Sequence, residues 1–220
     1  MKMERCVVLV HGFMRRRWNM RYLAEELGRR GYLTFAPNLP TTFRNVRACS
    51  EILSEYLDAQ RLPTPSKNRV VHFVAHSMGG LVVRDCLSRR VVEGLGRVVL
   101  MGTPNRGTRH GNRALWAAPR LRRIFRSLPD LSEPGPNIAP PLNVPAPEIG
   151  IIAGIRPDPV RKALLSGEND GLVTLDSVRG LNVAVKDEIL IPCPHEWIHW
   201  RPDTAEAIAS FLETGKFRRP

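Results

Sequence analysis

Six short runs of apolar residues, separated by stretches with helical periodicity, constrain the fold of this chain more than any other feature of its sequence. Each run is continuously apolar, which is typical of strands that are buried on both faces. Parallel strands need long crossover connections, and the stretches between the runs have the length and periodicity of helices. The sequence therefore predicts an α/β fold, with a mostly parallel six-stranded central sheet flanked by helices. The predicted strands are RCVVLV, YLTFAP, RVVHFVA, GRVVLMG, EIGIIAGI and DEILIPC, and the predicted helices cover residues 18–30, 43–62, 78–90 and 203–213, the last with Asp203 as its N-cap.

The length of 220 residues suits a single domain, 1–220, with a hydrophobic core of its own.

One segment interrupts the pattern of alternating strands and helices. Residues 127–147 contain many prolines, which exclude a regular helix or a central strand there. They lie between the fourth and fifth predicted strands, directly after the arginine-rich residues 113–126. We expect residues 105–147 to form a lid-like insertion over the functional site.

Charge and cysteine content exclude several other classes of protein. The formal net charge of +12 permits attraction to nucleic acid or to anionic lipid but specifies neither. The sequence has no RNA-stacking motif and no zinc-finger spacing, so we expect a solvated basic surface and no nucleic-acid partner. The four cysteines have no metal-ligand spacing and are too few for a disulfide scaffold, which predicts reduced thiols and no metal site. No export signal and no transmembrane segment is visible, so we expect a cytoplasmic protein.

The sequence VAHSMGGL, residues 74–81, contains the strongest candidate for a reactive side chain. Ser77 directly follows a predicted strand and precedes a predicted helix, which is the context that a nucleophile elbow requires. Small residues are needed where strand and helix pass closely; here Gly79 follows the serine and Ala75 stands where many such turns carry glycine. His76 and Gly79 are expected to support the turn. The alternative is that Ser77 merely caps the helix 78–90.

A serine nucleophile needs a base and an acid, which follow it in the order acid, then histidine, in sheet enzymes with this turn. His195 comes directly after the last strand and is the preferred base, with His199 as the alternative. The acid is expected in the loop after the fifth strand. Asp170 lies in a turn-rich stretch, SGENDGLV, that can aim its carboxylate. Asp158 lies between two prolines and is the alternative.

Negative charge that develops in acyl transfer needs backbone N–H donors. Met78, the residue after the serine, is expected to supply one of these donors. The tight turn LVHGFM after the first strand is expected to supply the other through Phe13. Gly12 permits the bend, and His11 is expected to brace the turn through a hydrogen bond.

Five motifs in a fixed order carry a family resemblance: VLVHGFM, VAHSMGGLVVR, GTPNRGT, GENDGLV and PHEWIHWRPDTAEAIASFL. With these, residues 6–214 resemble bacterial lipases and esterases of the α/β-hydrolase superfamily. The resemblance implies Ser77 as nucleophile, Asp170 as acid and His195 as base, with Phe13 and Met78 as oxyanion donors. It also implies a sheet without the first two strands of the full fold, and no cofactor is expected.

These residues predict a serine carboxylester hydrolase that acts on a small ester or a lipid through an acyl-enzyme. Acyl transfer, thioester or amide hydrolysis with the same residues is the alternative, and a non-catalytic binding protein is a third. Trp116, Leu121 and Phe125 are candidates for the substrate pocket or the lid. The stretch AAPRLRRIFRSL places Leu121, Ile124, Phe125 and Leu128 on one side of a helix. The basic segment 113–126 could contact an anionic membrane transiently, or it could form a short helix packed on the domain.

Overall fold

The computed structural model describes residues 3–62, 68–112, 120–159, 161 and 165–219. Six strands form one sheet in the order β2-β1-β3-β4-β5-β6, and all five neighbouring pairs are parallel. The predicted α/β architecture is therefore confirmed. The strands are β1 Glu4–Val10, β2 Leu33–Phe35, β3 Arg69–His76, β4 Leu95–Met101, β5 Ile149–Gly154 and β6 Asp187–Ile191.

Helices cover both faces of the sheet. They are α1 Arg21–Arg29, α2 Val46–Ala59, α3 Met78–Leu87, α4 Leu121–Ile124, α5 Leu128–Leu131, α6 Leu175–Val178 and α7 Pro202–Thr214, with 3₁₀ turns at Arg17–Met20 and His195–Trp200. Val8 in β1 packs in the same core cluster as Leu53 of α2 and Leu81 of α3. Its neighbour Leu9 packs in a second cluster with Leu27 of α1 and Ile208 of α7. Successive strand residues thus enter different cores, which explains the continuously apolar runs.

Most predicted helix limits differ from the observed ones by a few residues, and two helix starts have a clear local cause. The helix predicted from residue 43 begins at Val46, because the Asn45 side chain accepts the Ala48 N–H at 2.9 Å and caps it. The prediction of Asp203 as the cap of the last helix is wrong, since α7 already begins at Pro202. Proline is well tolerated there because a first-turn N–H has no partner within the helix. Asp203 instead pairs with Arg201.

The segment 105–147 is attached to the domain in its described part. The Ser127 hydroxyl donates to the Thr41 carbonyl at 3.1 Å, and Asp130 accepts the Val46 N–H at 2.7 Å. The single helical side predicted around residues 121–128 is wrong, because α4 and α5 are separate helices. Pro129, in the first turn of α5, has no N–H to continue a helix from α4. Whether the segment moves as a lid stays a prediction.

The four cysteines are all buried, and none forms a disulfide. No helix within the described ranges combines the length and the apolar character that crossing a membrane requires.

Candidate active site

Ser77 occupies a strained turn between β3 and α3. Its φ of 55° and ψ of −129° lie outside the regions that ordinary residues prefer. Such a conformation costs on the order of 1–3 kcal/mol and persists only where surrounding contacts enforce it. The Ser77 N–H donates to the Met101 carbonyl at 2.8 Å, while the hydroxyl makes no capping hydrogen bond to the helix. The alternative that Ser77 serves only to cap the following helix through its hydroxyl is therefore wrong.

Small residues allow the main chain to approach Ser77 from two sides. A Cβ atom at Gly79 would lie 2.5 Å from the Val10 carbonyl oxygen, too close for any larger residue. A Cβ atom at Gly12 would lie 2.9 Å from the Ser77 Cβ. Ala75, by contrast, is fully buried with its methyl group in the core. The turn after β1 and the start of α3 are thereby held against each other beside Ser77.

Asp170 and His195 form a buried pair. The His195 Nδ1 lies 2.6 Å from the Asp170 Oδ2, and the His195 backbone N–H donates to the Asp170 carbonyl at 3.0 Å. The other carboxylate oxygen of Asp170 accepts the N–H groups of Leu172 and Val173 at 3.0 and 2.7 Å. The carboxylate is thus fixed in place, and its contact with Nδ1 assigns the proton to that nitrogen, leaving Nε2 as an acceptor.

Glycines also make room for this pair. A Cβ atom at Gly102, which follows β4 with a φ of 55°, would lie 3.1 Å from the His195 ring and 3.3 Å from the Asp170 carboxylate. A Cβ atom at Gly154, the end of β5, would lie 2.8 Å from the Asp170 Cβ. The pair therefore packs directly against the carboxyl ends of two neighbouring strands.

The pKa values of three neighbouring histidines, His76, His195 and His199, are shifted in different directions. Burial alone would lower the pKa of His195, but the charge and hydrogen bond of Asp170 outweigh it and raise this pKa above its usual 6.5. Burial lowers the pKa of His199 to about 3, and it holds the pKa of His76 well below 6.5. His195 is thus the one member of the cluster that Asp170 makes a stronger base.

His76 and His199 pack behind His195. The His76 ring lies 4.8 Å from the His195 ring and 4.4 Å from the His199 ring, between centroids. The His76 Nε2 is 3.1 Å from the His195 carbonyl oxygen. His199 is buried, and neither of its ring nitrogens has a partner among the described residues. His199 also contacts the Trp200 ring, with the ring centroids 5.6 Å apart. Because His76 and His195 lie 119 positions apart in the chain, the sequence held no signal for this contact.

The alternative acid lies outside this cluster. The Asp158 carboxylate accepts the backbone N–H of Arg161 at 3.1 Å and pairs with the Arg161 side chain at 3.5 Å, as expected for a surface turn. Arg161 also forms an ion pair with Glu196, the residue after His195. Sequence reasoning missed Glu196, which lines the cavity next to Ser77.

The turn after β1 is held by hydrogen bonds around Gly12. The neutral ring of His11, whose pKa burial lowers, accepts the Leu39 N–H at 3.1 Å and lies 3.1 Å from the Gly12 carbonyl. Thr41 donates its hydroxyl to the same carbonyl at 2.9 Å. Within the described residues, neither the Phe13 N–H nor the N–H of Met78, the first residue of α3, donates a hydrogen bond. Both amides are therefore available to an anionic oxygen.

Ser77 and His195 line one cavity of about 220 Å³. Its walls are largely apolar, as is usual for small-molecule sites. Phe125 meets Phe13 edge to face, with ring centroids 6.0 Å apart. Trp116 and the side chain of Leu121 lie outside the described part of the chain. Among the apolar lining residues, the sequence did not single out Leu131, Leu172 or Val173, and it named Leu128 only as part of the apolar side of a helix in the insertion. Among the described residues, no group of three or more histidine, cysteine or acidic side chains could hold a metal ion.

A strained serine, a buried histidine–aspartate pair and a concave apolar cavity at the carboxyl edge of a parallel sheet together define a hydrolase-type site. The model of the Alpha/beta hydrolase family matches residues 7–211, so this chain belongs to the Alpha/beta hydrolase family, as the motifs indicated. No curated protein sequence matches the chain significantly.

Several solved structures have the same fold. A lipase of Bacillus licheniformis in its mature form is 20% identical, with a TM-score of 0.71, covering 97% of this chain and 93% of that one. A metagenomic carboxyl esterase is 15% identical, with a TM-score of 0.76 and coverages of 98% and 78%. A pyrethroid hydrolase from Sphingobium faniae is 14% identical, with a TM-score of 0.61 and coverages of 96% and 98%. At these identities the likeness establishes the fold.

Proposed function

We propose that this α/β hydrolase is a serine carboxylester hydrolase with Ser77, His195 and Asp170 as its catalytic residues. One observation carries the proposal. The His195 Nδ1 lies 2.6 Å from the buried Asp170 carboxylate, while the same ring lines a cavity with Ser77 on its strained turn. An isolated capping serine would require neither the pair nor the cavity.

In this mechanism the Ser77 hydroxyl attacks the ester carbonyl while the His195 Nε2 takes its proton. The carbonyl oxygen becomes negatively charged and accepts hydrogen bonds from the N–H groups of Phe13 and Met78. The tetrahedral intermediate collapses, His195 returns the proton to the leaving alcohol, and an acyl ester remains on Ser77. Water activated by His195 then hydrolyses this ester and releases the carboxylic acid. Asp170 keeps the ring in the required tautomer and stabilises its charged form.

The cavity supports an ester with an apolar acyl group. Phe13, three leucines and Val173 supply apolar side chains to its wall, and they would remove an acyl chain from water. The names of two structural neighbours, a lipase and a carboxyl esterase, agree with this substrate class. A transferase acting with the same residues is the second candidate, since an alcohol could replace water in the second step.

A transient contact of residues 113–126 with an anionic membrane is a further part of the proposal. Part of this segment lies outside the described residues. In the described part, Arg123, Ile124 and Arg126 are all exposed, which supplies both charge and an apolar side chain. Sedimentation with vesicles that contain anionic lipid would test this contact, and equal binding to neutral vesicles would contradict it.

Labelling with a fluorophosphonate probe tests the nucleophile. We expect the folded protein to be labelled, and we expect Ser77→Ala and His195→Ala to abolish labelling. Ser88→Ala, just beyond the far end of the same helix, is the matched control and should be labelled like the parent protein. Labelling that persists in Ser77→Ala would refute the assignment.

The reaction itself is tested with p-nitrophenyl esters graded in acyl length, each with and without a competing alcohol. Release of free acid at an unchanged rate supports a hydrolase. Formation of the new ester as the main product would instead establish a transferase with the same nucleophile.

A further inference from the structure

A buried arginine with no acidic partner lies on α3, away from the catalytic cavity. Arg84 is only 8% exposed, and its guanidinium donates to the side-chain oxygens of Asn105 and Asn182 at 2.7 and 2.9 Å. Both partners are neutral amides. Every aspartate and glutamate of the chain falls within the described residues, and none forms an ion pair with Arg84. Buried charges in proteins are normally paired, because an isolated charge is costly to remove from water.

The two amides are themselves held in place. The Asn105 side-chain N–H donates to the Val178 carbonyl at 2.6 Å, and that of Asn182 donates to the Ile138 carbonyl at 2.7 Å. Their oxygens must therefore face Arg84. Together they use two of the five N–H donors that a guanidinium carries, and they fix its orientation without neutralising its charge.

A second cation lies beside the first. Arg84 and Arg106 line a common pocket of about 260 Å³, whose other walls come from residues 134–138 and from Asn105, Gly180 and Asn182. The Arg106 guanidinium is exposed and makes no hydrogen bond or ion pair with the described residues. No carboxylate lines this pocket. The pocket thus presents two positive charges, several donors and no protein anion.

We infer that this pocket binds the phosphate group of a small molecule. A phosphate monoester carries a charge of about −1.5 to −2 near neutral pH. It can therefore balance the charges of both arginines, whereas a ligand with one carboxylate would balance only one. Its oxygens accept hydrogen bonds in the geometry that a guanidinium fork offers. Burial lowers the pKa of Arg84 to about 10, so the side chain is still charged at neutral pH.

This site is separate from the proposed catalytic one. Arg84 follows Ser77 by seven residues on the same helix, which is roughly 10 Å along its axis. The two cavities share no lining residue. The phosphate site joins α3 to residues 134–138 of the insertion and to the loop at 180–182, so binding should stabilise the base of that insertion.

Calorimetric titration of the full chain with inorganic phosphate tests the inference, with total ionic strength held constant by chloride. We expect saturable binding with one site per chain. Arg106→Gln should weaken it at least about tenfold, because a charge-assisted pair is lost. Arg15→Gln is the matched control, since Arg15 is an exposed arginine that lines the catalytic cavity. Its binding should equal that of the parent protein.

Further measurements distinguish phosphate from other anions, and this pocket from the catalytic cavity. Glycerol phosphate should compete with inorganic phosphate, and tighter binding of the monoester would identify a phosphomonoester as the ligand. Arg84→Lys, which keeps the charge but loses the fork, should also weaken binding and can be checked for folding by circular dichroism. Acetate that binds as tightly as phosphate would overturn the assignment to phosphate. Loss of binding in Arg15→Gln but not in Arg106→Gln would place the anion in the catalytic cavity and overturn the inference, as would the absence of saturable binding.

Discussion

Replacement of Asp170 by asparagine tests the proposed mechanism most directly, because it changes one atom and one charge at a fully buried position. Asparagine can keep its side-chain oxygen on the N–H groups of Leu172 and Val173, so the loop should remain folded. Its amide nitrogen then faces the Nδ1 of His195, where the carboxylate oxygen had been at 2.6 Å. Two donors cannot face each other, so the His195 proton should move to Nε2. A ring protonated at Nε2 cannot accept the proton of Ser77.

The expected loss follows from the measured distance. A positive charge on His195 and a negative charge on Asp170, 2.6 Å apart with an effective dielectric constant of about 20, attract by about 6 kcal/mol. This attraction exists only when His195 is charged, as it would be in the transition state of the proposed mechanism. At 1.36 kcal/mol for each factor of ten, kcat should fall by about four powers of ten. Replacing the aspartate by asparagine in a known serine–histidine–aspartate site lowers kcat by a similar factor.

The assay is ester hydrolysis as a function of pH. The proposed mechanism requires neutral His195, so the rate of the parent protein should fall as the pH drops through the pKa of His195, which lies above 6.5. Asp170→Asn removes the charge and the hydrogen bond that contribute most to raising this pKa, and it leaves the burial that lowers it. The acidic limb of the residual activity should therefore move to lower pH.

Asp158→Asn is the matched control, because it makes the same chemical change in the surface turn with Arg161. It should change kcat by less than about threefold, in line with the small contribution of exposed ion pairs. The reasoning is refuted if Asp170→Asn keeps more than about a tenth of kcat, if its acidic limb moves to higher pH, or if Asp158→Asn is the more damaging change.

Three further predictions follow from close contacts near Ser77. Gly79→Ala places a methyl group 2.5 Å from the Val10 carbonyl and should lower the free energy of unfolding by about 1–3 kcal/mol in a urea titration, so unchanged stability would contradict the tight packing. His76→Phe should keep the stacking on His195 but lose the bond to its carbonyl, which is worth about 1 kcal/mol; we expect a several-fold lower kcat with little change in KM, and an effect on KM alone would refute a positioning role. Phe125→Ala should lose an edge-to-face contact of about 0.5–1.5 kcal/mol and shift the preference of the enzyme among esters of graded acyl length, whereas an unchanged preference would show that this side chain does not limit the cavity.

The strand and helix pattern was accessible from the sequence because it depends on local periodicity. Each predicted apolar run contains a strand, and in β1 alternate residues enter two cores, as Val8 and Leu9 do. The first and last residues of the helices were harder to predict from the sequence, because neighbouring residues can each serve as the cap. Asn45 prevailed as a cap with its side chain, whereas Pro202 started the last helix one residue before Asp203.

The sequence by itself determined the turn at Ser77. Small residues on both sides of a serine between strand and helix are a local steric requirement, and the contact distances at Gly79 agree with it. It also narrowed the acid and the base to two residues each. Within each pair the preference rested on the composition of the turn and on the position after a strand. The sequence can rank the two candidates on these grounds, but it does not give the distances between their side chains.

Only the tertiary structure decided which of these groups meet. His195 contacts Asp170 across 25 positions of sequence and His76 across 119, and both contacts depend on the order of β3, β4, β5 and β6 in the sheet. The buried charge of Arg84 was likewise invisible in the sequence, where an arginine on an amphipathic helix indicates an exposed face. Its partners lie in the loop after β4 and in the loop before β6, so its environment is set by long-range packing and not by local pattern.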